Sequence, residues 1–207
     1  MADSMHDLED SLAGAVIAGG KSRRMGRDKR LLVLEGRTLL ERAVELLRSV
    51  CDEFFFVSPD PPPVPLAALH VADRLEGLGV LGGIHAALAA ARADRVLCIA
   101  ADTPLLTAGW LRLLESGCRK SGRPCVPLIG GRVHPVPGCY PRPLLTRVEG
   151  SLRGGRAAAK LFLQETGAHF IGEEEAAAAG CAPSALTNIN TPEEWEALLA
   201  SLGVNGD

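Results

Sequence analysis

Residues 12–20, LAGAVIAGG, decide the fold, because they join a short apolar run to a pair of adjacent glycines. An apolar run of this length without alternation is typical of a strand that is buried on both faces of a parallel sheet. The two glycines behind it allow the backbone to turn tightly at the carboxyl end of that strand. The segment therefore predicts the first strand of an α/β sheet, followed by a loop where such sheets bind ligands.

Two more apolar runs, at residues 54–57 and 95–101, repeat the pattern of a buried strand. Predicted helices alternate with these strands. One helix begins with a capping box at Thr38, and another covers residues 84–92, directly after the glycine pair at 82–83. Strands and helices that alternate at this spacing predict right-handed crossovers and a largely parallel sheet.

The second half of the chain is less regular. Residues 125–129 and 132–135 flank a Gly-Gly pair, which is the composition of a two-residue hairpin turn. Helices are predicted over residues 154–164, 173–180 and 193–202, the second being a short surface helix or insertion.

The expected fold is α/β, with one domain over residues 12–202 and a flexible or disordered start at residues 1–11. The domain is predicted to have a mostly parallel, Rossmann-like sheet flanked by helices, and a small β-hairpin element in its second half.

Composition excludes several classes of protein. The 207 residues carry 22 basic and 25 acidic side chains, with 5 Phe, 2 Trp and 1 Tyr, so neither charge nor aromatic stacking predicts nucleic-acid binding. The apolar stretches are shorter than the ~20 residues of a membrane helix, and the acidic start is not typical of a secretory signal. The 6 cysteines lack CxxC spacing, which predicts a reduced, cytoplasmic protein.

The strongest candidate for chemistry is the basic loop over residues 21–30, which concentrates six basic side chains around one acid. Glycines within and before it let backbone N–H groups turn toward an anion. Because a strand end, glycines and cations occur together, a polyphosphate cradle is favoured over an ordinary solvated basic turn.

Two common phosphate-binding motifs fail on spacing. A Walker A sequence ends as residues 20–22 do, but Ala15 stands where its first glycine is needed. The dinucleotide fingerprint G-x-G-x-x-G is excluded because Gly19 and Gly20 are adjacent.

The sequence IAGGKSRRMGRDK, residues 17–29, instead resembles the signature of molybdenum cofactor guanylyltransferases, within the wider superfamily of MobA-like nucleotidyltransferases. The matching positions are Ala18, Gly19, Gly20, Ser22, Arg24, Met25, Gly26, Asp28 and Lys29. Shorter landmarks follow in the family's order and extend the resemblance over residues 13–200, at Asp73 and at residues 79–84, 102–104, 134–135 and 188–194.

Two positions depart from the family pattern. Val80 replaces a usual proline, which is expected to alter loop stiffness. Ser58 stands where the family commonly has an asparagine that contacts the nucleotide, so one contact to the base or ribose is in doubt.

The resemblance implies transfer of GMP from GTP to molybdopterin or the molybdenum cofactor, which yields the guanine dinucleotide cofactor and pyrophosphate. The attacking phosphate is already an oxyanion, so positioning and charge neutralisation are the main requirements. By resemblance, the catalytic residues are Arg24, Lys29 and Asp102, and Asp102 is also the ligand of Mg²⁺, the implied cofactor.

Binding residues are likewise implied by resemblance. Those of the nucleotide are Ile17, Ala18, Gly19, Gly20, Ser22, Lys29, Ser58, Asp73, Gly82 and Asp102. The acceptor is assigned to His134, Asn188 and Asn190. For Gly82 the reason is that amides at a helix start face the nucleotide.

The implied partners are GTP and molybdopterin or the molybdenum cofactor, with transient contact to proteins that deliver molybdopterin or mature molybdoenzymes. Neither nucleic acid nor membrane is expected. Three alternatives remain open at the level of sequence. They are a nucleotidyltransferase that uses CTP or a sugar-phosphate acceptor, a non-catalytic GTP-binding regulatory protein, and a less favoured NAD-type oxidoreductase.

Overall fold

A computed structural model describes residues 11–19, 28–73 and 78–204. Within these ranges the chain forms ten strands, which are β1 (Leu12–Ile17), β2 (Val33–Leu34), β3 (Arg37–Thr38), β4 (Glu53–Ser58), β5 (Leu69–Ala72), β6 (Arg95–Ala100), β7 (Cys125–Ile129), β8 (Arg132–Val133), β9 (Gly138–Pro141) and β10 (His169–Ile171). The helices of the same ranges are α1 (Leu39–Arg48), α2 (Gly79–Ala90), α3 (Ala108–Ser121), α4 (Leu145–Arg153), α5 (Ala159–Glu165), α6 (Glu173–Ala178) and α7 (Pro192–Leu202).

The main sheet has the strand order β10-β7-β9-β6-β1-β4-β5, and β8 pairs with β7. Strands β6, β1, β4 and β5 are parallel neighbours, whereas β9 is antiparallel to both β6 and β7. The separate pair β2-β3 forms a small antiparallel sheet. The predicted α/β fold, with a mostly parallel sheet and a hairpin in the second half, is confirmed.

Helices cover both faces of the sheet. Neighbouring residues of each buried strand point to opposite faces, so the apolar side chains of each strand pack against helices on both sides. On one face, Val16 and Phe56 pack with the apolar side of α1 and with Trp110 of α3. On the other face, Ala15 and Phe55 pack with α2, α4 and α5. The sheet is therefore buried on both sides, as the unbroken apolar runs predict.

The C-terminal helix α7 encloses a third, smaller core with β2 and the start of α1. Trp195 and Leu198 of α7 pack against Leu34 and Leu39, and Ile189 joins them from the segment before the helix. Thr191 and Glu194 form the capping box that begins α7. This packing brings the last part of the chain beside the residues that follow the basic loop.

Two predicted helix boundaries are wrong. The expected helix over residues 154–164 starts late, because residues 154–158 are not helical and α5 begins only at Ala159, after the unpredicted helix α4 has ended at Arg153. Gly155 lies between them with a φ of +71°, which a continuing helix does not allow. Helix α2 begins at Gly79 rather than after the glycine pair, so Gly82 and Gly83 lie inside it.

Strand β9 was not predicted. It is short and bounded by prolines, its partner β6 is separated from it by α3 and β7, and β8 stands between it and its other partner, β7. Local pattern therefore carries little of its signal. Of the predicted flexible start, residues 1–10 lie outside the described ranges, and the domain boundaries stay a prediction.

Candidate active site at the carboxyl edge of the sheet

Four parallel strands end at one edge of the sheet, and three of them are followed by a residue of the predicted site, while β4 ends on one, Ser58. Because β1, β4, β5 and β6 run in the same direction, their carboxyl ends meet there. Gly19 follows β1, Asp73 follows β5 and Asp102 follows β6. A Cβ built on Gly19 would lie 3.8 Å from Oδ2 of Asp73, so these two residues face one another across the edge.

Asp102 is a firmly anchored carboxylate at this edge. It is 9% exposed, and its Oδ2 forms an ion pair with Nζ of Lys29. Its Oδ1 accepts a hydrogen bond from Nδ2 of Asn188 at 3.0 Å, and its backbone oxygen accepts one from the amide of Ile189 at 2.8 Å. The carboxyl group is thereby held in one orientation by groups from distant parts of the chain.

Lys29 lies in a single 3-10 turn, Lys29–Leu31, at the end of the basic loop. Its Nζ donates to Oδ1 of Asn190 at 3.2 Å in addition to pairing with Asp102. The Lys29 ammonium therefore lies between a carboxylate and an amide oxygen at the carboxyl edge of the sheet.

The turn that carries Lys29 is held by its two neighbours. Asp28 accepts from the backbone amide of Arg30 at 3.0 Å and from Nη2 of the Arg30 side chain at 2.7 Å. The hydrogen bonds from Arg30 lower the pKa of Asp28 below its ordinary value of 3.8. The Arg30 guanidinium in turn lies 5.8 Å from the centroid of the Phe56 ring, which ties the turn to β4.

This Asp28–Arg30 arrangement was not identified from the sequence. The only signal was the i, i+2 spacing of an acid and an arginine around Lys29, which is common in solvated turns.

Asn188 and Asn190 reach the site from the segment before α7. The backbone amide of Asn190 donates to Oε2 of Glu194 at 2.6 Å, so the Glu194 side chain of the capping box also fixes this segment. The Asn188 side chain hydrogen-bonds to Asp102, and the Asn190 side chain hydrogen-bonds to Lys29. The resemblance had assigned them to the acceptor, and the two predicted catalytic residues are therefore expected to lie where acceptor and nucleotide meet.

The expectation that Gly82 and Gly83 stand at a helix start is wrong. The amide of Gly82 donates to the backbone oxygen of Leu78 at 3.4 Å, within the helix. A Cβ on Gly83 would lie 2.5 Å from Cγ2 of Ile17, so glycine is needed there for close packing of α2 on β1. The amides of the first turn are those nearest Gly79, and a contact from Gly82 to the nucleotide stays a prediction.

Ser58 is buried, and its hydroxyl donates to the backbone oxygen of Asp60. A ring nitrogen of His70 lies 3.2 Å from the Ser58 backbone oxygen. The side chain therefore organises the loop after β4, and its predicted nucleotide contact has no further support from these bonds.

His134 follows β8, and its amide donates to the backbone oxygen of Pro127 at 2.9 Å. Burial, assisted by the charge of Arg132, lowers the pKa of His134 below its ordinary value. Because β9 is antiparallel to β6, the segment between β8 and β9 enters at the carboxyl edge. The structure places His134 beside Pro127 rather than within the cluster of Lys29 and Asp102.

Three predicted site residues, Gly20, Ser22 and Arg24, lie outside the described ranges. The remaining predicted contacts, Ile17 and Ala18, stand at the end of β1, where the amide of Ala18 donates to the backbone oxygen of Val57 at 2.8 Å. Across residues 11–19, 28–73 and 78–204, no helix has the length and apolar character required to cross a bilayer.

Comparison with known proteins gives a consistent picture. Residues 14–169 match the family model described as the MobA-like NTP transferase domain. A molybdenum cofactor guanylyltransferase from Syntrophotalea carbinolica is 31% identical over 188 residues, with 89% of each chain covered. A probable molybdenum cofactor guanylyltransferase from Opitutus terrae is 38% identical over 158 residues, covering 74% of this chain and 78% of the relative.

Among solved structures, the molybdopterin-guanine dinucleotide biosynthesis protein A from Archaeoglobus fulgidus superposes with a TM-score of 0.79 at 23% identity, covering 92% of this chain and 98% of that one. At that identity the likeness concerns the fold.

Proposed function

The chain belongs to the family of MobA-like NTP transferase domains, and from this premise we propose that it transfers GMP from GTP to molybdopterin or the molybdenum cofactor. The products are the guanine dinucleotide form of the cofactor and pyrophosphate. The names of the two curated relatives support guanine as the base and the molybdenum cofactor pathway as the setting.

The observation that carries the proposal is the convergence of Lys29 and Asp102 with Asn188 and Asn190 at the carboxyl edge of the sheet. A site of this kind supplies charge and orientation and needs no protein nucleophile, because the attacking group is itself a phosphate oxyanion. Phosphoryl chemistry depends mainly on positioning and on electrostatic stabilisation.

In the proposed reaction an oxygen of the acceptor's terminal phosphate forms a bond to the α-phosphorus of GTP. The bond from that phosphorus to the oxygen bridging to the β-phosphorus breaks, and pyrophosphate leaves with the electron pair. Lys29 neutralises charge on the triphosphate as the negative charge moves toward the leaving group. Arg24, which the family signature pairs with it, lies outside the described ranges.

The nucleotide is proposed to lie across the ends of β1 and β5. Ile17, Ala18 and Gly19 present backbone and small side chains to the purine, and Asp73 accepts from the base or ribose. The position of the Asp73 carboxylate, 3.8 Å from where a Cβ of Gly19 would lie, supports one shared pocket for these two contacts.

Asp102 fits the role of a magnesium ligand. Its carboxylate is a hard oxygen donor, it lies at the strand end, and Asn188 fixes its orientation. Among the described residues, His, Cys, Asp and Glu form no group of three or more that could hold a metal, so the remaining ligands are proposed to be phosphate oxygens and water. When bound there, Mg²⁺ would supply positive charge to the α-phosphate and the leaving pyrophosphate.

The reaction is proposed to take place in the cytoplasm. All 6 cysteines of the chain are free thiols, which suits a reducing compartment. Proteins that deliver molybdopterin or receive the finished cofactor are proposed as transient partners.

The test is to incubate the purified protein with Mg²⁺, molybdopterin and each nucleoside triphosphate separately, and to follow pyrophosphate release and the dinucleotide product. We expect release with GTP. Release with CTP alone would move the protein to a cytidylyltransferase, and no release with any nucleotide would indicate a binding protein. Asp102→Asn is expected to abolish release, whereas Asp94→Asn, just before β6 at the opposite edge of the sheet, is expected to leave it intact.

A further inference from the structure

Both carboxylate oxygens of Asp102 are engaged by donors of the chain itself. Oδ2 pairs with the Lys29 ammonium, and Oδ1 accepts from the Asn188 amide at 3.0 Å. The side chains of Lys29 and Asp102 are only 19% and 12% exposed, so solvent screens this pair less than it screens a surface salt bridge.

The Lys29 ammonium lies against one of the two carboxylate oxygens that a divalent cation could bind. A cation approaching Oδ2 meets a positive charge already in contact with that oxygen, and Oδ1 is covered by an N–H donor. Without a change in Lys29, coordination by Asp102 therefore requires two positive groups to share one partly buried carboxylate, which is costly.

A triphosphate provides Lys29 with a better partner. Phosphate oxygens carry several negative charges, and charge-assisted bonds to them are strong. The lysine side chain has a flexible four-carbon stem, so its ammonium can shift between acceptors while the backbone turn held by Asp28 and Arg30 stays in place. Asn190 already holds the same ammonium on its other side at 3.2 Å.

We propose that Lys29 acts as a resident counter-cation of Asp102, which excludes divalent cations until a triphosphate draws the ammonium away. Metal and nucleotide then enter this site as one unit, and the protein without nucleotide has little affinity for the metal. The inference rests on the proposed function, because it assumes that the nucleotide binds at this edge.

The test measures binding of Mn²⁺, a paramagnetic substitute for Mg²⁺, from the free-ion signal in electron paramagnetic resonance and from calorimetry, both without nucleotide. Wild type is expected to bind Mn²⁺ weakly, and Lys29→Met at least about tenfold more tightly, since removing one contacting charge changes the interaction by that order. Lys29→Arg, which keeps the charge, is expected to bind Mn²⁺ as weakly as wild type.

A matched control removes an exposed lysine elsewhere. Lys160→Met on α5 lowers the net charge by the same amount and is expected to leave Mn²⁺ affinity unchanged. Adding Asp102→Asn to Lys29→Met is expected to abolish the gain in affinity. Thermal unfolding of every variant confirms that each is folded.

Equal Mn²⁺ affinity in wild type and Lys29→Met would overturn the inference, as would a gain that persists with Asp102→Asn. These results are separable from those on the proposed function. If the wild type turns over GTP but Mn²⁺ affinity is equal in wild type and Lys29→Met, only the exclusion by Lys29 is refuted and the transferase function stands. A gain in Lys29→Met together with no nucleotide transfer would retain the exclusion and refute the transferase.

Discussion

Nδ2 of Asn188 donates a hydrogen bond to Oδ1 of Asp102 at 3.0 Å, across 86 positions of the chain. The amide of the next residue, Ile189, donates to the backbone oxygen of Asp102 at 2.8 Å. The segment before α7 therefore binds Asp102 at both side chain and backbone, and it completes a site whose other parts come from the first half of the chain.

Replacing Asn188 with alanine is expected to lower turnover by about tenfold, because partners that orient a ligand commonly contribute that much. The lower turnover is checked by steady-state pyrophosphate release, with the concentrations of GTP, Mg²⁺ and molybdopterin varied in turn. The neighbouring exposed residue provides the control, since Thr187→Ala is expected to retain wild-type turnover. If Asn188→Ala raises KM for molybdopterin alone, the residue binds the acceptor and does not position Asp102.

The contact of Gly83 with Ile17 predicts a loss of stability on adding one methyl group. A Cβ at Gly83 would lie 2.5 Å from Cγ2 of Ile17, so Gly83→Ala is expected to lower the free energy of unfolding by about 1–3 kcal/mol. Gly150 lies inside α4 with no atom within 4 Å of a built Cβ, so Gly150→Ala is expected to raise it by up to about 1 kcal/mol. Urea unfolding measures both, and equal effects of the two variants would contradict the packing argument.

The bonds between Asp28 and Arg30 predict a stability contribution that depends on pH. Because these bonds lower the folded-state pKa of Asp28 below 3.8, the contribution is present above that value and is lost as pH falls through the folded pKa. Arg30→Gln is expected to lower the free energy of unfolding by about 0.5–1 kcal/mol at pH 7, and to leave it nearly unchanged at the lowest pH where the fold persists.

Arg48→Gln is the control for the pH dependence, since Arg48 lies 5.4 Å from the Phe54 ring centroid much as Arg30 lies over Phe56. The decrease in the free energy of unfolding caused by Arg48→Gln should be the same at neutral and acidic pH. A deficit of Arg30→Gln that stays constant on acidification would show that the ring contact, and not the carboxylate, carries the effect.

Buried thiols predict a loss of stability in alkali. Burial raises the pKa of Cys125 from 9.0 to about 12, so its neutral form stabilises the fold fully below pH 9 and progressively less as pH rises toward 12. The unfolding deficit of Cys125→Ala is therefore expected to shrink by about 1 kcal/mol between pH 8 and pH 10. Val126→Ala, at the adjacent buried position, should show the same deficit at both pH values. Parallel changes in the two variants would refute the thiol's role.

Much of the fold could be predicted from the sequence because its signals are local. The apolar run of β1, the capping box at Thr38 and the helix over residues 193–202 depend on neighbouring residues, and each was found within one residue of where it was expected. The late start of α5, after Gly155, and the early start of α2 were missed. Gly155 has a φ of +71°, which a helix does not allow, and Gly83 inside α2 packs closely on Ile17 of a distant strand. Neither feature leaves a pattern in a short window.

For the site, the sequence by itself determined which residues are candidates for the chemistry, since a glycine-rich strand end followed by concentrated cations is a local arrangement. It also determined the family, through the motif of residues 17–29 and the shorter landmarks behind it. What only the tertiary structure decided is how those residues are paired. Parallel strands bring Gly19 to Asp73, and α7 brings Asn188 and Asn190 onto Asp102 and Lys29, because contacts between distant segments depend on packing that no short stretch of sequence encodes.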